Sequence, residues 1–446
     1  MIWIELIILL ACIIIGARLG GIALGTVAGI GLLIFVFIFA LPPGGPPQGV
    51  LGMIIAVITA LAAMQAAGGL DYLVSLAERI MHKSPQYITF IAPVVTYILV
   101  LGSGTTHVIY ALLPVIAEVA RKGNIRPERP LSISVIAGFH GAIASPISPA
   151  TVAMLGVLAA KGVSLPLLLA VVIPSTFLAV LVGALSVAWR GKGLDQDPEY
   201  QERLASGVLK FQDTSTEVKQ ENLRKAQGSM LLFLAGIVAV VLIGVFPSFR
   251  PAYQVVTDGV VVDTDQVEMG LAIMIVMIAV AGLTMVLFKA SPEATLKGSI
   301  MRSGITAIIS ILGVSWLGSS FFEGNKPAIV SGISDVVKVY PSAFAAGMFC
   351  LSTLLFSQAA TVALMMPVGQ ALGLPTNLLI AFYPAACGLF FLPTYGTVLA
   401  AVSFDQTGTT KIGKYLLNHS FMRPGLVTMI SAVVIGLLLT RVIPIG

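Results

Sequence analysis

Long apolar runs, repeatedly interrupted by glycine and proline, dominate this chain and leave few folds open to it. Continuous apolar segments cover approximately residues 2–17, 20–40, 50–68, 86–103, 105–120, 131–160, 164–190, 229–246, 267–288, 298–320, 341–357, 358–373, 375–403 and 421–442. A helix crossing a bilayer needs about 20 such residues, so the segments predict about ten to twelve crossings. Of the 446 residues 57% are apolar and 10% charged, with a mean hydropathy of +1.00. A soluble domain carries roughly 25% charged residues, and a soluble fold of this length could not cover so much apolar surface. The runs are continuous and not alternating, which argues against a β-barrel. The 45 glycines and 25 prolines fit membrane helices, where both residues are enriched. The expected fold class is an all-α polytopic membrane protein.

Charge sets the orientation. The net charge of +5 is spread through short loops and forms no basic stripe, so nucleic acid is not an expected partner. Cys12, Cys350 and Cys387 lie inside apolar runs and predict no disulfide framework. The start, Met1-Ile2-Trp3-Ile4-Glu5, has no basic leader region, and the first basic residue, Arg18, follows the apolar run. That run is expected to remain as a helix with its N-terminus outside. Placing residue 1 outside puts 20 of the 25 basic residues inside, among them Arg18, Arg79, Lys83, Arg121, Lys122, Arg126, Arg129, Arg190, Lys289, Lys297 and Arg302. This matches the positive-inside rule, provided that 86–120 and 341–373 each enter and leave on one side as re-entrant hairpins. Both termini then lie outside. Trp3 and Trp189, near segment ends, read as interface anchors. The mixed-charge stretch 191–228 reads as a partly helical cytoplasmic linker, and 247–266 as an outer loop.

The linker separates two halves, 1–190 and 229–446, with the same order of elements: three helices, a short amphipathic piece, a hairpin, an interrupted helix and a last helix. The amphipathic pieces are 71–82 and 327–340, the hairpins 86–120 and 341–373, and the broken helices 131–160 and 375–403. Aligned in this way, Pro114 falls on Pro367, Gly141 on Gly388 and Pro146 on Pro393. By loop charge the hairpins open to opposite sides, so the halves are inverted. Paired broken segments in inverted repeats point to a secondary transporter with its substrate site near the bilayer midplane.

Four breaks are expected, at Gly102–His107, Ser145–Thr151, Ser357–Thr361 and Pro393–Thr397. A helix broken at membrane depth survives only when buried in protein or lining a wet cavity. Helix N-termini starting there offer free N–H groups and about half a positive charge, an anion site that needs no arginine. No Asp, Glu, Lys or Arg occupies a predicted helix centre. Two opposed tips could hold two anionic groups, which suggests a short dicarboxylate. The candidate substrate contacts are Gly104, Thr105, Thr106, His107, Ser145, Ser148, Thr151, Ser357, Gln358, Thr361, Thr394 and Thr397. Any single hydroxyl among them could instead bond back to its own helix. His107 and His140 are candidates for proton coupling, the alternative being a neutral imidazole bonded to backbone. There is no HExxH, paired-Cys or Walker motif, so no metal, no cofactor and no enzymatic activity are expected.

The stretches Gly16-Ala-Arg-Leu-Gly-Gly-Ile-Ala-Leu-Gly25, Gln65-Ala-Ala-Gly-Gly-Leu-Asp71, Asn124-Ile-Arg-Pro-Glu-Arg-Pro130, Ala144-Ser-Pro-Ile-Ser148, Ile173-Pro-Ser-Thr176, Leu392-Pro-Thr-Tyr395 and Asp405-Gln-Thr-Gly-Thr-Thr410 resemble the bacterial anaerobic C4-dicarboxylate transporters of the DcuA/DcuB type, with spacing closer to the DcuA-like branch. The resemblance implies exchange of fumarate, aspartate, malate and succinate across the bacterial inner membrane by antiport, in anaerobic fumarate respiration, with both termini periplasmic. More distantly, the architecture is similar to divalent-anion/sodium symporters of the ion transporter superfamily, which carry Ser-Asn-Thr at both hairpin tips. Here the tips read Gly104-Thr105-Thr106 and Ser357-Gln358-Ala359-Ala360-Thr361, which favours exchange or proton coupling over a sodium site. That superfamily implies a homodimer, with a scaffold (2–68 and 229–320) holding a mobile transport part (86–160 and 341–403). A proton- or sodium-coupled symporter and an anion channel stay open as alternatives.

Overall fold

The structure is a computed structural model that describes residues 2–444 apart from 20, 47, 207–222, 258–259, 356, 394 and 414–417. Within its elements some side chains, those of His107 and of 329–338 among them, lie outside that description. The first half contains α1 (Ile2–Leu19), α2 (Ala23–Leu33), α3 (Gln48–Ala66), α4 (Gly69–His82), α5 (Ile88–Ser103), α6 (Ile109–Lys122), α7 (Glu128–Ala144), α8 (Pro149–Leu158) and α9 (Leu165–Val187). Helix α10 (Pro198–Ala205) lies in the linker. The second half contains α11 (Leu223–Val245), strands β1 (Ala252–Thr257) and β2 (Val260–Gln266), α12 (Met269–Phe288), α13 (Pro292–Lys297) and α14 (Ser299–Val339). It continues with α15 (Ser342–Leu355), α16 (Gln358–Ala371), α17 (Thr376–Phe382), a 3-10 stretch Tyr383–Phe390, α18 (Gly396–Phe404) and α19 (Met422–Val442).

Among the described residues seven helices are long and apolar enough to cross a membrane, and a bent pair, α3 with α4, makes an eighth. The pair turns by 73° at Gly68, whose φ of +83° is one that glycine adopts without strain. Four shorter apolar helices accompany them: Ile2–Gly16, Ala23–Ile38, Ser342–Thr353 and Thr376–Phe390. The expected ten to twelve crossings are reached only when these are counted. Trp3 and Trp189 are 74% and 77% exposed, as interface anchors would be.

Packing follows the order of elements in the two halves. If α1, α2, α3, α5, α6 and α9 correspond to α11, α12, α14, α15, α16 and α19, the contacts come in exchanged pairs. α3 packs on α12 as α14 packs on α2, and α1 on α2 as α11 on α12. α8 packs on α16 as α18 packs on α6, while α9 and α19 pack on each other. The aligned glycines agree: a Cβ on Gly141 would lie 2.8 Å from the Tyr97 carbonyl of α5, and one on Gly388 2.7 Å from the Phe349 carbonyl of α15. Each broken segment therefore lies against the first helix of its own hairpin, at a distance that excludes a side chain.

Two elements differ from expectation. The piece 327–340 is no separate helix but the end of α14, which runs unbroken through Pro327 for 41 residues. Asn325 donates its amide to the Glu5 carboxylate at 2.5 Å and to the Phe321 carbonyl at 3.0 Å, which satisfies a carboxylate only 2% exposed. The stretch 247–266, expected as a loop, carries an antiparallel hairpin, β1 with β2. Its signal was in the sequence: Asp258-Gly259 between runs of valine and threonine is a strong hairpin signature.

A polar cluster fixes the start of α7. Glu128, 6% exposed, accepts from the Ser420 hydroxyl at 2.9 Å and lies 3.3 Å from Arg126 and 3.7 Å from Arg190. Arg126 also pairs with Asp197, the N-cap of α10. Asp405 accepts from Thr409 Oγ1 at 2.9 Å and the Thr410 N–H at 2.6 Å, and Thr409 Oγ1 in turn accepts the Glu128 N–H at 3.1 Å. The linker, the first broken helix and the 405–420 loop are thus tied at one point.

Candidate functional site

A cavity of about 410 Å³ lies where the hairpin tips and the broken segments converge. The first tip contributes Ser103–Thr106, the first break Ile147–Ala150, the second tip Ser357–Ala359, and the second break Tyr395. The opposite wall is formed by Leu24 of α2, Ile54, Val57, Ile58 and Leu61 of α3 and Ile300, Gly304, Thr306 and Ser310 of α14.

Local chemistry explains each turn. α5 ends because Gly104 takes φ +69° and donates its N–H to the Val100 carbonyl at 2.8 Å. A Cβ there would lie 2.8 Å from Ile147, so the first tip is pressed against the first break. α7 stops at Ser145, whose backbone is extended, and α8 restarts at Ser148. Ser148 Oγ accepts the Thr151 N–H at 3.2 Å as N-cap, with Pro149 in the first helical position. On the second tip Ser357 does the same for α16, accepting the Ala360 N–H at 3.2 Å.

Each cap consumes one of the N–H groups that a helix start leaves without partners. The N–H groups of Ala150 in α8 and of Gln358 and Ala359 in α16 precede the first intrahelical bonds, and all three residues line the cavity. Two helix N-termini therefore converge on one space, each with about half a positive charge. No Asp, Glu, Lys, Arg or His is found among the described lining residues. The arrangement can hold an anion by backbone amides and hydroxyls; among the described residues it offers neither a nucleophile–base pair nor a group of side chains able to hold a metal.

The other expected contacts are distributed as follows. Gly104, Thr105, Thr106, Ser148, Ser357 and Gln358 line the cavity. Ser145, Thr151, Thr361 and Thr397 are buried beside it. Thr151 Oγ1 stitches the break, bonding to the Ile143 carbonyl at 2.9 Å and to the Tyr383 hydroxyl at 3.3 Å. Thr361 Oγ1 donates to the Ser357 carbonyl at 2.8 Å, while Thr397 Oγ1 has no partner among the described residues. Gln358 lends only part of itself to the cavity. Its amide nitrogen donates to the Phe139 carbonyl of α7 at 2.8 Å and to Cys387 Sγ at 3.1 Å, tying the second tip to both broken segments. His140 is fully buried outside the cavity, with Nδ1 2.9 Å from the Ile136 carbonyl. Thr394 and the His107 side chain lie outside the described residues.

Tyr395, Thr306 and Ser310 were not singled out from the sequence as contacts. Tyr395 bonds with the Thr106 side chain and sets its ring edge-on to Phe139 at 5.4 Å, so it braces the first tip from the second break. Thr306 and Ser310 stand four residues apart in an otherwise apolar stretch of α14, a spacing that places two hydroxyl residues on one helix face.

The sequence profile of the family described as anaerobic C4-dicarboxylate membrane transporters matches residues 1–444. The chain is 42% identical over 441 residues to the C4-dicarboxylate transporter DcuA of Escherichia coli K12, covering 98% of this chain and 99% of that protein. It is 39% identical over 441 residues to the anaerobic C4-dicarboxylate transporter DcuB of Escherichia coli O6:H1, covering 97% of each. Among solved structures, the YdaH transporter of Alcanivorax borkumensis superimposes with a TM-score of 0.63 at 15% identity, over 89% of this chain and 87% of that one. MtrF of Neisseria gonorrhoeae does so with 0.53 at 11% identity, over 95% and 96%. Those two likenesses concern the fold: a helical, multi-pass membrane protein of transporter architecture. With the profile matched from end to end and relatives this similar over their whole lengths, the chain belongs to the anaerobic C4-dicarboxylate membrane transporter family.

Proposed function

We propose that this protein is a secondary carrier that exchanges C4-dicarboxylates, among them fumarate, succinate, malate and aspartate, across a bacterial inner membrane by alternating access. The observation that carries the proposal is the cavity at which two capped helix N-termini, α8 and α16, converge with no charged side chain among the described lining residues. A dianion supplies the charge that the two half-positive ends require. Without one, both would face a low-dielectric interior uncompensated, so the empty site crosses poorly and exchange is favoured over net flux. The exchanged contact pairs of the two halves support an inverted repeat, with α5–α8 and α15–α18 moving against a scaffold of α1–α3 and α11–α14. Loop charge supports periplasmic termini and a cytoplasmic linker, and the superfamily likeness supports a homodimer.

Counterflow tests the reading. Proteoliposomes loaded with labelled succinate should release it when external fumarate is added and hold it otherwise. Equal efflux into buffer alone would contradict exchange, and a current that does not saturate with dicarboxylate would indicate a channel.

A further inference from the structure

The cavity holds its ligand with partial charges only, yet it extends to a rim that carries full ones. At that rim α1 turns into α2 and α14 begins, and the lining there includes Gly16, Gly21, Ile300 and Gly304. Arg18 lies between the first two in the chain and Arg302 between the second two. Both arginines are exposed, and neither forms an ion pair among the described residues. Lys297 is taken by Glu293 at 2.6 Å, and Arg126 and Arg190 by Glu128. The Arg302 carbonyl accepts the Thr306 hydroxyl at 3.0 Å, and Thr306 lines the cavity one helical turn further in. Thr306 and Ser310 thus lead inward from Arg302 along α14 and line the same cavity as the two helix N-termini.

Resting on the dicarboxylate reading of this cavity, we propose that Arg18 and Arg302 form a cationic vestibule that captures the dianion at the rim and hands it to the uncharged site within. A full positive charge concentrates dianions from solution, and clefts lined by one sign of charge raise local ligand concentration and on-rate. The same charge placed inside would have to cross low dielectric when the carrier moves. The division of labour follows: arginines at the rim, where water remains, and helix ends at depth. The vestibule selects by net charge, so it favours doubly ionised dicarboxylates over monoanions of similar size. By the positive-inside bias it opens to the cytoplasm and serves the substrate to be exported.

The test is the apparent KM for succinate in counterflow, measured from the cytoplasmic face in inside-out vesicles over a range of salt. In the wild type KM should rise with ionic strength. R18Q/R302Q should raise KM roughly three- to tenfold at low salt and approach the wild type near half-molar salt, because screening removes the same attraction. R18K/R302K, which keeps both charges, should retain the wild-type KM and its salt dependence. The proposal fails if the glutamine pair tracks the wild type at every salt concentration, or if the lysine pair loses affinity as the glutamine pair does. If the double variant does not insert, R302Q alone and the wild-type titration decide: a wild-type KM indifferent to salt overturns the vestibule. Failure of the dicarboxylate reading itself would appear differently, as absent counterflow in the wild type.

Discussion

At the scale of single residues, the proposed site depends on Ser148 and Ser357, which start one helix in each half and cap it in the same way. Replacing either by alanine removes a cap bond worth about 0.5–2 kcal/mol and lets the first turn fray where the ligand binds. S148A and S357A should each raise the KM for succinate severalfold in counterflow and lower the melting temperature measurably in detergent. Q358A should behave differently from both. It unties the second tip from Phe139 and Cys387, so a fall in maximal exchange rate and in thermal stability together is expected. His419 gives a pH signature outside the membrane spans. It accepts the Phe421 N–H at Nδ1 and donates from Nε2 to the Phe391 carbonyl, both at 3.2 Å, and burial holds its pKa below the ordinary 6.5. The folded state therefore keeps the ring neutral, while the unfolded chain takes up a proton below about pH 6.5. Stability should fall as pH drops through that value, and H419Q should flatten the dependence in thermal scans between pH 7.5 and 5.5.

At the scale of elements, two features fix how the helices pack. α2 and α14 cross with almost no space between their backbones. A Cβ on Gly25 would lie 2.0 Å from the Ile309 carbonyl, and one on Gly313 2.0 Å from the Gly25 carbonyl. G25V should therefore abolish a stable fold, read as loss of monodisperse protein after extraction. At the start of α7, removing the buried Glu128 leaves Arg126 and Arg190 without their shared anion. E128A should destabilise by about 1–3 kcal/mol, because the buried Ser420 hydroxyl loses its acceptor while Arg126 keeps Asp197. Much of this layer was legible in the sequence, because hydrophobic runs, Gly-Pro breaks and Ser at restart points are local signals. The restart at Ser148-Pro149 and the tip at Ser357 follow from capping chemistry alone. What escaped the sequence depended on distant partners. Asn325 meets Glu5 across 320 positions, and only the fold shows that the Gln358 amide nitrogen, expected as a ligand contact, also reaches Phe139 and Cys387. Thr306 and Ser310 carried a spacing signal, but only the fold shows that their face looks onto the hairpin tips.

At the scale of the whole molecule, the proposed anion site is assembled from parts that are neutral by themselves, contributed by both halves of the chain. No single half could build it, since α8 belongs to the first and α16 to the second. The membrane explains the economy: helix ends supply charge that is fixed in direction and already solvated by the fold, so the loaded site can cross low dielectric more readily than an arginine pair. Its most direct test is a structure determined with succinate bound. One carboxylate should lie within hydrogen-bond distance of Ser148–Ala150 at the start of α8, and the other at Ser357–Ala359 at the start of α16. A dianion found elsewhere, or held by charged side chains away from both helix starts, would contradict the account.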